Sequence, residues 1–345
     1  MAYTTIDNPG LFFNTVLYAG SNSSQSVTGV GFQPDWVWIK NRSSTPDHKL
    51  HDRVRGSNKS ITTNNNATEQ TYTYFTSFDS DGFTLEGNVS DYNQNSSNFV
   101  SWNWKAGGSA SSNSNGSITS SVSANTTTGL SIVTTTGTGS AATIGHGLGA
   151  APAMIMSKRR DSGSSNWRIF NKNLSSNSHI LFLDITDAEQ GSNSATWNNT
   201  APTSTVFSVG ASGDVNASSG TFVHYCFADI KGYSKFGKYR GNGSTDGTFI
   251  YLGFKPAFFL LKEISGSDNW TLMDTKRLGY NPRNDHLFPN LNNAEYATDR
   301  IDIVSNGIKI NNDDGSINQS GSTYIYMAFA ESPFVNSNGL PNNAR

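Results

Sequence analysis

The chain has 345 residues, with 24 Lys+Arg against 26 Asp+Glu, six His and one Cys, and its charged fraction is 14%, where a soluble domain averages about 25%. A net charge of −2 without a basic block leaves no counterion-release footprint for nucleic acid, and a single cysteine makes neither an internal disulfide nor a zinc site. No apolar run approaches the about 18 residues of a membrane helix, and MAYTTIDNPG has neither the basic nor the apolar stretch of a secretion signal.

Asn, Ser and Thr take the place of charge. They number 39, 48 and 33, about a third of the chain, while 20 Phe, 13 Tyr and 7 Trp supply bulk for a core. In chain order, a polar lead-in, YAGSNSSQSVTG, runs into Val30-Gly31-Phe32-Gln33-Pro34 and the apolar strand DWVWIKNR. DHKLHD (47–52) and TYTYFTSF (71–78) follow, then Ser80-Asp81-Gly82-Phe83, whose Asp-Gly suits a tight hairpin with positive φ at its two central residues. NFVSWNWKA (98–106) closes this first unit. Residues 107–128, GGSASSNSNGSITSSVSANTTT, have a linker's composition, but SITSSV alternates as an edge strand would.

The same succession then recurs. Leu148-Gly149-Ala150-Ala151-Pro152 precedes AMIMSKRR, and Leu252-Gly253-Phe254-Lys255-Pro256 precedes AFFLLKEI. NWRIFN (166–171) and NWTLMD (269–274) match DHKLHD, and TFVHYCFAD (221–229) and TYIYMAFAE (323–331) match NFVSWNWKA. Pro34 to Pro152 is 118 residues and Pro152 to Pro256 is 104, while Phe99 to Phe222 is 123 and Phe222 to Tyr324 is 102, so two independent anchors give one period. The expected organisation is repeat 1 over 1–108, a linker or edge strand over 109–129, repeat 2 over 130–233 and repeat 3 over 234–345 with a short tail. Short aromatic and β-branched runs between Gly, Asn, Asp and Ser clusters, with no sustained 3.6-residue period, predict an all-β fold. The expectation is three tandem β-sandwich or jelly-roll-like repeats with few short helices. Three units can close into a pseudo-threefold ring or lie in a row.

Candidate sites are weighed against the internal copies. Trp36/Trp38 and Trp102/Trp104 share strand faces as a sugar platform would, but their counterparts are Met154/Met156, Phe258/Leu260, Tyr225/Phe227 and Met327/Phe329, apolar exchanges that a core tolerates. Trp167 and Trp270, with His48 in the same place, are expected to pack under the lead-in loop. Tyr72, Tyr74, Trp197 and Tyr280 lie in segments without equivalents between copies, where a repeat scaffold places recognition loops. The loops TPDHK and NNNATEQTYTY make copy one the expected place of binding or docking specialisation. His48 and His51 are too far from any third ligand in sequence to predict a metal site. Asp79-Ser80-Asp81-Gly82, Ser212-Gly213-Asp214 and Asp313-Asp314-Gly315 read as hairpin turns rather than calcium loops. Gly137-Thr138-Gly139-Ser140 opens no helix after a buried strand and so is not a nucleotide loop. Cys226 is expected as a buried thiol. No nucleophile elbow occurs, and Asp299/Asp302 or Asp184/Asp187 are acid pairs that nothing selects, so no catalytic residue, cofactor or metal is expected.

GFQPDWVWIKNR, SWNWKAGGS, GSITSSVSANTTTGLSIVT, IGHGLGAAP, WNNTAPTSTVFS, GYSKFGKYRGNGSTDGTFIYLGFKPAF and YIYMAFAESPF resemble repeat-containing structural proteins of tailed bacteriophages of marine bacteria and cyanobacteria. The resemblance implies a virion protein made in the host bacterial cytoplasm, contacting other virion proteins, with three chains assembled about a symmetry axis. The sequence has no coiled-coil, collagen-like or β-helix shaft. The leading expectation is a surface-exposed, tail-associated receptor-binding or tip protein that meets host glycan. The alternative is a head decoration or tail-hub component with purely virion contacts, and a polysaccharide depolymerase is the third reading.

Overall fold

The computed structural model describes residues 3–277, 281 and 284–342. Strands hold 42% of residues and helices 4%, so the fold is all-β, as aromatic and β-branched runs cut by Gly and Asn require. Three six-stranded antiparallel sheets follow one another along the chain. In the first the order is Phe13–Ala19, Asn98–Trp104, Trp36–Asn41, Lys49–Asp52, Lys59–Thr62, Gln70–Thr71. The third repeats it with Ser234–Arg240, Thr323–Pro333, Phe254–Glu263, Thr271–Asp274, Asn284–Leu287 and Tyr296–Thr298. The second keeps Leu130–Thr136, Thr221–Phe227, Met154–Arg159 and Arg168–Asn171, but grows beyond its first strand by Ser120–Asn125 and Ser111–Asn113. Residues within 109–129 are thus paired strands of the second sheet, with Val122 facing Val133.

Alternation within a strand explains why the central strands are apolar throughout. Trp36 and Trp38 point to one face of the first sheet and Val37 and Ile39 to the other. Met154 and Met156 divide from Ile155, and Phe258 and Leu260 from Phe259 and Leu261, in the same way. The outward face of each sheet is covered by a smaller one: Gln25–Val27, Gly82–Leu85 and Phe75–Asp79 in the first unit, Ala142–Gly145 with Val206–Val209 in the second, and Phe249–Tyr251, Gly307–Ile310 and Ile301–Val304 in the third. The inward faces of all three sheets meet in a common core. Trp36 stacks on Tyr225 at 4.8 Å between centroids, Trp104 and Phe258 meet at near right angles at 5.4 Å, and Phe227 meets Phe329 at 6.2 Å. Every unit therefore touches both others, and the arrangement is a ring rather than a row. Residues near the N-terminus complete it: Tyr3 donates to the Gly253 carbonyl at 3.1 Å and Ile6 enters the shared core.

Three local expectations are corrected. The central residues of the Ser80-Asp81 turn do not have positive φ, nor do those of Ser305-Asn306, the matching turn in the third unit. The glycine that follows serves close approach instead, since a Cβ on Gly82 would lie 1.9 Å from the Val27 carbonyl oxygen and one on Gly307 2.1 Å from that of Ile250. Ser212-Gly213-Asp214 and Asp313-Asp314-Gly315 are not hairpins. They start the single-turn helices Gly213–Asn216 and Gly315–Asn318, where Ser212 and Asp314 accept the backbone N–H groups of Asp214 and Ser316 as N-caps. Among the described residues no helix is long and apolar enough to cross a membrane.

Candidate ligand-binding site

The chemistry of the ring lies in its three seams. Between units 1 and 2, Arg55 pairs with Asp52 at 2.5 Å and with Glu69 at 3.0 Å, and donates to the Leu50 carbonyl. Tyr225, from unit 2, donates its hydroxyl to Asp52 at 2.7 Å, and Arg160 grips Glu69 with two hydrogen bonds of 2.8 Å. Burial alone would raise the Glu69 pKa, but Arg160 and Arg55 hold it below the usual carboxylate value. The seam between units 3 and 1 repeats this. Arg277 pairs with Asp274 at 2.5 Å and Glu295 at 2.9 Å, Trp102 Nε1–H donates to Asp274 at 2.9 Å, and Arg42 grips Glu295.

The seam between units 2 and 3 is built from other material. Asn171 stands where the others have Asp52 and Asp274, Leu174 replaces Arg55 and Arg277, Met327 replaces Tyr225 and Trp102, and Ile264 replaces Arg160 and Arg42. What persists is backbone and indole bonding. Trp270 Nε1–H reaches the Phe182 carbonyl at 2.7 Å, as Trp167 reaches that of Thr62 at 2.8 Å. Glu189 keeps its N–H bond to Ile264 O at 2.9 Å, but its carboxylate turns to His179 Nδ1 at 2.6 Å.

Two clefts flank this third seam. One, of about 440 Å³, holds the His179–Glu189 pair with Lys238 and Ser265. The other, of about 490 Å³, is lined by Tyr3, Lys172, Asp229, Lys231, Lys235 and Tyr251 among others. Lys231 Nζ lies 4.5 Å from the Tyr3 ring centroid and Lys235 Nζ 5.3 Å from that of Tyr251, while the two phenol oxygens stand 3.4 Å apart. Asp229 pairs with Lys172 and accepts the Phe236 N–H at 2.8 Å. Burial, with the Tyr251 hydroxyl beside it, pushes the Tyr3 phenol up to about 12, so it stays protonated, and burial lowers Lys235. Phe249 and Tyr251, at i and i+2 on one strand, are 46% and 49% exposed.

The family model Domain of unknown function (DUF7483) matches residues 8–333, across all three sheets. The chain belongs to the DUF7483 family. No curated protein matches it.

The DUF7483 fold disposes of several sequence candidates. Trp197 is a correction: it is 1% exposed and packs edge-on against Phe170 in the second unit's outer core. Its helix, Ser194–Trp197, lies against Val206–Val209 in a unit whose small sheet lacks the third strand, so the ring fills core instead of meeting ligand. Tyr72 and Tyr74 are half-buried and lie 5.9 Å apart, with Lys49 over Tyr72. Tyr280 lies outside the described residues. The NNNATEQ loop is seam structure rather than a free recognition loop. Thr63 donates to the Pro289 carbonyl, Asn66 accepts from Lys158, and Glu69 bridges two arginines.

Trp167 and Trp270 lie against the neighbouring unit, not beneath their own lead-in. His48 accepts the Trp38 indole N–H at 3.0 Å, and His51, three residues along a strand and so on the opposite face, sits between Ser57 O and the Tyr92 hydroxyl. Burial lowers His51 and His224 to about 3, and Cys226 is buried with its thiol pKa pushed up. Asp184 accepts the Trp167 N–H while Asp187 holds Gln190, so these two carboxylates are separately engaged. Among the described residues no three His, Cys, Asp or Glu are placed to hold a metal ion.

One recurrent residue escapes sequence reading altogether. Asn93, Asn216 and Asn318 are each fully buried. Each accepts a lead-in N–H, from Ser21, Thr138 and Asn242 at 2.8, 2.8 and 3.0 Å, and donates to the carbonyls of Ser23, Ser140 and Ser244 at 2.6, 2.6 and 2.8 Å. This pinning fixes the Gly-rich lead-ins, whose Asn22, Gly139 and Gly243 have φ of 66°, 76° and 67°. It accounts for the Gly137-Thr138-Gly139-Ser140 loop without a nucleotide. The only sequence signal of this Asn is the one buried apolar residue before it, at Tyr92-Asn93, Val215-Asn216 and Ile317-Asn318, too short to stand out as an apolar run.

Proposed function

We propose that this chain is a structural protein of a tailed-bacteriophage particle, surface-exposed and tail-associated, that meets host-surface glycan as a receptor-binding or tip component and performs no catalysis. The observation that carries the recognition role is the cleft between units 2 and 3, where exposed aromatic rings and cations stand on a rigid core, the usual make-up of a binding site rather than of a packed surface. The resemblance of GFQPDWVWIKNR and the matching stretches to phage structural proteins supports the virion setting, with other virion proteins and two further copies of the chain as partners.

Purified protein binding host cells or lipopolysaccharide and blocking phage adsorption is the expected result. No binding at micromolar concentration, with saturating copy number on capsids, overturns it. The same incubation measures polysaccharide chain length, which stays unchanged if the chain is not a depolymerase. A head-decoration or hub role draws support from a different feature. The edge strand Phe13–Ala19 carries no charge and leaves Leu17 exposed, whereas its counterpart Leu130–Thr136 is covered by Ser120–Asn125; an open, uncharged edge favours pairing with another protein.

A further inference from the structure

The three seams offer an internal control for the Lys/Tyr cleft, because the fold places the same spot in the molecule three times. Between units 1 and 2 it is filled. Arg53 pairs with Asp35 at 2.8 Å, Asp35 also accepts the N–H groups of Ala106 and Gly108, and Gly107 runs on to Ser123. Between units 3 and 1 it is a cleft of about 210 Å³ with Thr275 in the place of Lys172 and Asn14 in that of Lys235. The lysines between units 2 and 3 are therefore not demanded by the repeat.

The aromatic rings are not demanded either. Phe249 and Tyr251 flank Ile250, which pairs with Ile308; in copy one Ser26 and Thr28 flank Val27, which pairs with Phe83. The same strand is built there from small polar residues. Two large rings exposed on one strand face give up the stabilisation that burial would supply, and their neighbours supply charge of one sign. Three lysines face one aspartate in this cleft, on a chain whose net charge is −2. Asp229 is engaged by Lys172, and neither Lys231 nor Lys235 has an ion-pair partner among the described residues.

We propose that this cleft binds a carboxylate-bearing saccharide, with Tyr251 in the cleft and Phe249 exposed beside it on the same strand face stacking on sugar faces, and Lys231 and Lys235 meeting the carboxylates. This rests on the recognition reading above and specifies its ligand. The C–H face of a pyranose suits an exposed ring, which no bare anion needs. Ammonium groups are point donors suited to isolated carboxylates, whereas the cleft has no guanidinium to hold a phosphate in bidentate fashion. The Tyr251 ring also lies beside Lys235, whose Nζ donates to the Tyr251 carbonyl at 2.6 Å, so ring and cation are held together before any ligand arrives.

The test uses the full chain and calorimetric titration with tetragalacturonate, maltotetraose and inorganic phosphate. Binding of tetragalacturonate that weakens with salt, with none for maltotetraose, is expected. Lys231→Ala with Lys235→Ala, and separately Phe249→Ser with Tyr251→Thr, which restores the residue types of copy one, should each weaken it by about tenfold or more. Circular dichroism and melting of each variant report whether it folds, and Lys276→Ala, in the 3–1 cleft, should leave binding unchanged. Absence of binding up to about 10 mM, equal affinity for maltotetraose or phosphate, or binding that folded variants retain overturns the proposal. Host-cell binding by the same proteins separates the two levels. Cells bound by wild type and folded variants alike refute this cleft while the recognition reading stands; tetragalacturonate bound through these residues without any cell binding refutes the host-glycan reading and leaves the cleft chemistry.

Discussion

Replacing Asp184 with Asn should stabilise the protein, by an amount that depends on pH in a defined way. Asp184 occupies the position of Asn64 in unit 1 and Asn290 in unit 3, and all three accept the backbone N–H of the residue that opens the neighbouring short strand. His48 N–H reaches Asn64 at 3.0 Å, Trp167 N–H reaches Asp184 at 3.2 Å and Trp270 N–H reaches Asn290 at 3.0 Å. The amides also donate, Asn64 to Asp47 at 2.7 Å and Asn290 to Asn269 at 2.6 Å. A carboxylate has no such hydrogen, and Asp184 Oδ2 is buried without a partner.

Burial pushes the Asp184 pKa from 3.8 to about 6, against the opposing attraction of Lys158. A rise of about two units corresponds to about 3 kcal/mol at full ionisation, and relaxation around the carboxylate brings the expected gain at pH 7 to about 1–3 kcal/mol. The sign follows from proton counting. Between pH 3.8 and about 6 the folded state holds the proton that the unfolded state has released, so the wild type loses stability as pH rises through that window. Below it both states are protonated and the difference between wild type and variant should shrink. Urea unfolding of both proteins from pH 4 to 8 measures this, and thermal melting should show about 2 °C per kcal/mol for a chain of this size. A variant less stable at pH 7, or one whose gain is the same at pH 4 and pH 7, would refute the reasoning.

The seams make a second prediction through non-additivity. Arg55→Leu alone strands Asp52 and should cost about 3–5 kcal/mol, whereas Asp52→Asn, Arg55→Leu, Glu69→Gln, Arg160→Ile and Tyr225→Met together remove the whole ion cluster, as the 2–3 seam has, and should cost well under the sum of the single changes in urea unfolding; additive costs would show that the groups do not act as a unit. Asn216→Ala should cost about 2–4 kcal/mol by leaving the Thr138 N–H and the Ser140 and Gly210 carbonyls unpaired. Asn216→Asp should be no milder, since the acid turns an oxygen toward both carbonyls; an Asp variant as stable as wild type would contradict the pinning role. Gly307→Ala, whose Cβ would collide with the Ile250 carbonyl, should raise amide exchange across Phe249–Tyr251 and Gly307–Ile310, and unchanged protection there would remove the close-approach account.

How much of this was legible depended on the kind of signal. The all-β class and the three recurring strand sets came directly from apolar runs such as DWVWIKNR, AMIMSKRR and AFFLLKEI, because burial on both faces removes the polar half of the alternation. The choice between ring and row was not legible, since Trp36 or Phe258 reads the same whether it faces its own sheet or a neighbour's. Trp197 misled for a related reason. An aromatic without an internal counterpart suggests a surface role, yet it arose because a short helix supplies core to a unit with one strand fewer. The cleft was hidden because its residues come from distant segments, Tyr3, Lys172, Lys231 and Tyr251, that only ring closure brings together.

Ring closure also explains why the cleft is where it is. A buried Arg–carboxylate cluster is stable only when every member is present, because removing one partner leaves the other charged and desolvated. The 2–3 seam has accordingly lost Asp, both Arg positions and the indole or phenol donor in step, at Asn171, Leu174, Ile264 and Met327. Glu189, the surviving acid, is satisfied by His179 and by Ser175. What holds this seam is apolar contact and the Trp270 bond to the Phe182 carbonyl, both below the surface. Among the described residues the cations on its rim, Lys231, Lys235 and Lys238, have no ion-pair partner, whereas at the other two seams ion pairing consumes Arg42, Arg160 and Arg53. The seam that has given up its internal ion cluster thus sets Lys231 and Lys235, without ion-pair partners among the described residues, beside the exposed ring of Tyr251.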